Sequence, residues 1–470
     1  MRVRVPGAPV FRFGAGFGMR AIRRKGQDML SWIGLVGGLA LLIWLTVRGV
    51  NILIAGPVAA LVVAVTAGLP LLPPFAEAAG TGTQAGADFA TSYMAGFTSF
   101  FADWFLMFLL GAIFGEVMAA SGAAASVARW ITAKLGSKYA LLATVLAAAV
   151  LTYGGVSVFI VAFSVYSLSV SLFREANLPR RFIPGALAFG SVTFTMTSAG
   201  SPEIQNLIPM QYLGTTAYAG WQVSLVVAAL MASLGYAWLS RMVRAAVAKG
   251  EGFEARGSDD APEEGRHLPP PLLSLLPLVA VLGVFLTTQS LGKWALLAAL
   301  SSGIVVAAAV GWQSLRALPG AFSTGATGAT IAIANTCAVV GFGSIAQLTP
   351  AFAQALGAVQ SLPGSPLIGA AVAVTTIAAL TGSASGGQTI ALPLIAPFYL
   401  GQGADPAALH RTVAIASGAL DSLPHNGYVV TTIRVVCGET HARAYGAVGA
   451  TTVVVPTIGL VVALILFSIF

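Results

Sequence analysis

The sequence predicts an all-α polytopic membrane protein of two related halves, each with a re-entrant helical hairpin and a broken transmembrane helix. Three observations predict it. The 470 residues are 57% hydrophobic and only 9% charged, several apolar runs are long enough to cross lipid, and polar interruptions recur at matching places in the two halves. Such a composition excludes an ordinary soluble enzyme. The cations behind the +8 net charge sit at the ends of apolar runs, as topology signals do. Nucleic acid is therefore not an expected partner.

Residues 1–28 form a basic extension, with seven of the 24 Lys and Arg residues in 1–25. It reads as a mis-called start, a processed segment or an exception to the charge rule, with Met29 directly before the first apolar run. The runs at 31–47, 52–72, 97–120, 221–239, 272–288, 294–311 and 447–470 reach or approach the length a helix needs to span a core of about 30 Å. Glycine, 54 residues in all, suits close helix packing in lipid. The first half is expected over 29–248, a cytoplasmic linker over 249–270 and the second half over 271–470. Six of the 16 acidic residues fall in 249–267, which marks a flexible, solvated connection. Cys337 and Cys437 have no metal or redox spacing, so neither metal nor cofactor is expected.

The interruptions carry the functional signal. Residues 151–157 (LTYGGVS) and 380–387 (LTGSASGG) are polar, glycine-rich tips, 229 residues apart from Thr152 to Thr381. Each is followed by a second break, TMTSAGSPEIQN at 195–206 and DSLPHNG at 421–427. Unpaired backbone at membrane depth is tolerated only where it lines a protein-walled or wet cavity. Interrupted helices at corresponding places point to a transporter's binding site. Hairpins are expected at about 139–173 and 364–400, and broken helices at about 182–212 and 407–436. Arg129, Lys134 and Lys138 on entry, with Arg174, Arg180 and Arg181 on exit, place both ends of the first hairpin inside. No Lys or Arg occurs from 317 to 410, so the second hairpin enters from the other side. That is an inverted repeat. The basic 1–25 segment disagrees, because the remaining map puts the N-terminus outside. His410-Arg411 matches Arg180-Arg181 as a basic turn, and Arg411 reads either as an attractor of an anionic solute from outside or, more plainly, as a boundary anchor.

The N-terminal ends of the outgoing arms supply free N–H donors and a favourable dipole for an anion without a desolvated cation beside it. Gly154, Gly155, Gly386 and Gly387 permit close backbone approach. Thr152, Ser157, Thr197, Ser201, Thr381, Ser383 and Ser385 offer hydroxyls; the plainer reading is that they cap their own helices. Asn206 and Asn426 end the two broken helices, where their amides, able to donate and accept, suit a polar solute or serve only the freed backbone. For proton coupling the candidates are His425, Asp421 and Glu203, because a charge near the bilayer centre costs roughly 2.5–3.5 kcal/mol and is seldom kept without use. His425 titrates near neutrality, and Asp421, one helical turn earlier, either relays its proton or forms a structural pair with it.

The stretches 151–206 and HRTVAIASGALDSLPHNG at 410–427 resemble the gluconate permease (GntP-type) family of the ion transporter superfamily, and the likeness runs from about residue 31 onward. The resemblance implies proton-coupled symport of a sugar acid such as gluconate, or of a short hydroxycarboxylate, across the bacterial inner membrane. It further implies a dimerising scaffold domain and a mobile transport domain holding both hairpins, an elevator arrangement in a homodimer. Glu203 stands where the family is expected to carry an uncharged residue. Sodium coupling is the alternative on the same fold. An intramembrane enzyme lacks any nucleophile elbow or zinc cluster to support it, and a passive channel is the remaining reading.

Overall fold

The computed structural model describes residues 16–48, 50–73, 87–256, 268–288, 291, 293–361 and 364–469, and among them there is helix and no strand. Residues 1–15 of the basic extension and 257–267 of the linker lie outside the described residues. In lipid a helix satisfies its backbone internally, which is why nearly every apolar stretch takes this form.

In the first half, α1 (Gly16–Val47) begins inside the basic extension. It is followed by α2 (Ile52–Ala67) and α3 (Phe89–Ala120), capped by Asn51 and Asp88, and then by α4 (Ala123–Leu135). Helices α5 (Ala140–Tyr153) and α6 (Val158–Glu175) form a hairpin. Helix α7 (Ile183–Ala188) widens into the π-helix Phe189–Thr193, breaks, and resumes as α8 (Ile204–Leu213) before α9 (Trp221–Ala248).

The second half holds α10 (Pro271–Ser274), α11 (Leu276–Thr287), α12 (Lys293–Val310), α13 (Leu318–Gln347) and α14 (Pro350–Gln360). A second hairpin follows, α15 (Pro366–Thr381) and α16 (Ala384–Gly401). Helix α17 (Pro406–Ser417) breaks and resumes as α18 (Gly427–Val430) with the π-helix Thr431–Val436. Helices α19 (His441–Gly449) and α20 (Val455–Ile469) complete the chain, joined by the π-helix Ala450–Val454. The order recurs: α3, α5, α6, α7 and α8 start at 89, 140, 158, 183 and 204, and α13, α15, α16, α17 and α18 at 318, 366, 384, 406 and 427. Each displacement is therefore between 223 and 229 residues.

Among the described residues, five stretches are long and apolar enough to cross a membrane by length and composition: Asp28–Thr46, Phe89–Ala120, Trp221–Ala248, Leu318–Gln347 and His441–Ile469. This is a multi-pass membrane protein. Leu318–Gln347 was not among the apolar runs expected, because Gly, Ser, Thr and Asn dilute its hydropathy. Those small residues instead let it lie against α3, its counterpart in the first half. A Cβ on Gly96 would fall 1.9 Å from Ser344 Oγ, and one on Gly341 would fall 2.8 Å from the Tyr93 ring. The Tyr93 hydroxyl donates to the Ala338 carbonyl at 3.0 Å. Helices α1 and α2 close a small separate core on this pair, with Leu42, Val63, Phe342 and Ile345 buried together. The larger core joins the hairpins and broken helices to α9, α11, α12 and α20.

The linker departs from expectation at its first residues. Beyond α9 the chain is held down: Glu251 pairs with Arg181 at 2.7 Å, Glu254 with Arg443 at 2.6 Å, and Arg256 with the buried Glu439 at 2.5 Å. Phe253 N donates to Asn177 Oδ1 at 3.0 Å. Residues 251–256 thus strap the foot of the first hairpin to the turn after the second broken helix. The hydrogen bonds from Arg181 and Arg443 hold the Glu251 and Glu254 carboxyls below their ordinary range.

Two outcomes follow from this packing. Gly96→Val should force α3 from α13 and lower thermal stability in detergent by about 1–3 kcal/mol, with partial recovery on adding Ser344→Gly. The two Glu–Arg pairs of the strap, Glu251–Arg181 and Glu254–Arg443, stabilise above the ordinary carboxyl pKa of 4.5 and are lost as pH falls through the depressed folded values. Amide exchange of 251–256, corrected for intrinsic rate, should therefore rise on acidification below pH 4.5 and not at neutral pH.

Candidate functional site

The two hairpin tips turn by different chemistry. At the first, α5 ends in Thr152 and Tyr153, and the chain reverses through Gly155 at φ 91°, a left-handed conformation that glycine alone adopts without strain. At the second, Gly382 takes φ 59° and Ser383 caps α16 by accepting from Gly386 N at 3.1 Å. A Cβ on Gly382 would lie 2.7 Å from His425 Cδ2, so this position needs glycine for space as well as for conformation. Gly387 lets the arms of the second hairpin touch, since a Cβ there would meet Ala378 at 2.7 Å. Gly154 serves packing too, against Leu278.

Each tip rests on the break in its own half. The Tyr153 hydroxyl donates to the Ala199 carbonyl at 2.9 Å, and Gly155 faces Pro202. Asn426 Nδ2 donates to the Gly382 carbonyl at 3.0 Å. The two breaks then meet, with Gly418 against the Thr197 methyl and Met196. Tip, break, break and tip form one contiguous row. The halves also cross-brace: Gln388 on α16 donates to the Gln205 carbonyl at 2.8 Å and to Ser417 Oγ at 3.1 Å. Phe159 on α6 meets the Tyr428 ring edge-on, with centroids 5.5 Å apart.

Side chains satisfy the backbone that the breaks release. In the first break, Arg411 Nη1 donates to the Thr197 carbonyl at 2.6 Å, and Ala199 N donates to Ser224 Oγ at 2.8 Å. Asn206 Nδ2 donates to the carbonyls of Ser201 and Ala217 at 2.9 and 3.0 Å. In the second, Asn426 Nδ2 donates to the Asp421 carbonyl at 3.1 Å, and its Oδ1 accepts from Val429 N at 2.9 Å. Both asparagines are thus committed to the backbone here. Asn206 Oδ1 is also engaged, 3.2 Å from His410 Nε2.

The hydroxyls divide. Thr381 turns back on its own helix, donating to the Ile377 carbonyl at 2.9 Å, and Ser385 lies 3.3 Å from Ser383. Ser201 Oγ accepts from Glu203 N at 3.4 Å. Thr152 is buried with its hydroxyl unpartnered among the described residues, and Ser157 makes no capping bond. Glu203 stands at the start of α8, partly exposed, and does not cap it with its side chain.

The structural Asp421–His425 pair, one of the two readings of the sequence, is not formed. Asp421 accepts from the Ser422 hydroxyl at 3.0 Å, and among the described residues no hydrogen bond joins it to His425. His425 Nε2 is buried and has no hydrogen-bond partner among the described residues. The break is not a continuous turn of helix, so the four-residue spacing does not stack the two side chains.

Arg411 is likewise not a boundary anchor. It lies inside α17, 0% exposed, whereas Arg181 sits at the strap. The letters His-Arg match Arg-Arg, but the helices that carry them are out of register. His410, read in the sequence only as part of a basic turn, is wholly buried between Asn206 and the Thr215 hydroxyl at 2.6 Å. Both follow from the rule that an ionisable residue within an apolar helix is a functional suspect, had the run 406–417 been taken as buried.

Gly382→Ala should destabilise the protein by about 1–2 kcal/mol from conformation alone, and by more through the clash with His425. Gly401→Ala, with nothing within 4 Å of its Cβ position, is the control, and thermal unfolding in detergent compares the two.

No family model matches the chain. It is 33% identical over 459 residues, covering 88% of this chain and 94% of the other, to an uncharacterized transporter, YxjC, of Bacillus subtilis (strain 168).

Proposed function

This chain belongs to the family of transporters that includes YxjC, and we propose that it is a secondary active symporter of a small organic anion, driven by protons, in the bacterial inner membrane. The substrate class is a sugar acid such as gluconate or a short hydroxycarboxylate, in keeping with the gluconate permease resemblance. The observation that carries this reading is the contiguous row of tip, break, break and tip. Polar backbone is concentrated there, within helices otherwise built for lipid. The recurring order of elements supports two inverted repeats, and the tight α3–α13 pair supports a scaffold against which the hairpins move as an elevator. A homodimer completes the proposal.

Thr152, Ser157, Thr197, Ser201, Ser383 and Ser385 are the proposed substrate hydroxyls, with the tip glycines and the two asparagines shaping the walls. His425 is the first candidate for the coupling proton, because its buried Nε2 leaves a nitrogen free to take one beside the second tip. Asp421 and Glu203 are the further carboxylates at the breaks. One proton carried with one monovalent anion moves no net charge. Each additional proton would add about 2.3 kcal/mol of drive per 100 mV.

The test is uptake of labelled gluconate or 3-hydroxybutyrate into proteoliposomes under an imposed pH gradient. Accumulation should collapse with a protonophore and persist without sodium; the reverse pattern replaces the proton by sodium. His425→Ala should lose gradient-driven accumulation at least tenfold, on the order of what removing an essential proton carrier costs, while retaining exchange. Full accumulation by the variant removes His425 from the role.

A further inference from the structure

Arg411 is the bulkiest of the fully buried side chains among the described residues, and the row of tips and breaks gives it no anionic partner. Its three nitrogens donate to backbone: Nε to the Ala219 carbonyl at 3.0 Å, Nη1 to Thr197 at 2.6 Å and Nη2 to Ala217 at 3.0 Å. Carbonyl dipoles solvate a guanidinium without cancelling its charge. Neither Asp421, bonded to Ser422, nor Glu203 reaches it, and no described carboxylate pairs with it.

A buried charge without a counter-charge is costly, and so far from water it is little screened. It is retained at one particular place. The shortest of its three bonds goes to Thr197, the residue whose methyl group meets Gly418 where the two breaks cross. Any solute seated at that crossing therefore lies one peptide group from a full positive charge, in a setting where such a field is strong. The guanidinium itself is enclosed, so it does not compete with the solute for donors or collapse onto it.

We propose that Arg411 is the fixed counter-charge of the substrate site, a positioning residue that acts across the Thr197 backbone and makes the site select a carboxylate over a neutral solute of the same shape. This rests on the organic-anion reading above and adds to it the residue that sets the sign of the substrate. The tie to Thr197, Ala217 and Ala219 also keeps the charge in place while the tips move.

The experiment uses the purified full-length protein in detergent. Binding of gluconate and 3-hydroxybutyrate, each beside its neutral amide, is titrated by thermal stabilisation. The wild type should prefer each carboxylate to its amide by on the order of tenfold or more, the scale of a unit charge at this range. Arg411→Gln should bring that ratio close to unity, and Arg411→Lys should preserve it. A merely structural arginine predicts that Arg411→Gln weakens acid and amide together and leaves the ratio intact, and that result overturns the proposal while sparing the anion reading. Where Arg411→Gln yields no folded protein, Arg411→Lys decides, since loss of the ratio with the charge retained also overturns it. A wild type that binds the amides as tightly as the acids, or binds none of the four, overturns the substrate class and this inference together.

Discussion

Interrupting a helix inside a bilayer releases carbonyl and amide groups that water cannot reach, and each left unsatisfied costs several kcal/mol. In this protein Arg411, Asn206 and Asn426 do most of the satisfying. Arg411 reaches from the second broken helix to three carbonyls in and after the first. Asn206 and Asn426 close the breaks from within, and Asn426 extends the stitch to the second hairpin at Gly382. The remaining features of the row depend on these bonds. Without them the tips would have no fixed surface to rest on.

The same accounting explains the contrast between the two regions of the molecule. Helices α3 and α13 meet through glycine and serine, a contact that gains from close approach because lipid offers no hydrophobic drive between helices. The hairpins and broken helices share the larger apolar core and add directional hydrogen bonds across it.

At the tips, polar letters have diverged in use. Thr381 is spent on its own backbone, while Thr152 and the Nε2 of His425 are buried and without a partner among the described residues. The strap at 251–256 adds a second lesson. Six acids in a polar stretch look like solvated linker, yet those nearest α9 pair with arginines from two separate elements.

Helical character and membrane residence were legible in the chain, because both are local. An apolar run of sufficient length has few alternatives in lipid, and glycine or a polar cluster within it must interrupt hydrogen bonding where it stands. Leu318–Gln347 escaped that reading, since small residues lower hydropathy while favouring close packing. Partnerships were not legible. The burial of Arg411, the engagement of His410 with Asn206, and the separation of Asp421 from His425 depend on which elements meet across about 200 residues of sequence. Spacing along the chain states only what can share one helical face. Once the helix breaks, that relation lapses, and the folded contacts alone decide which donor meets which carbonyl.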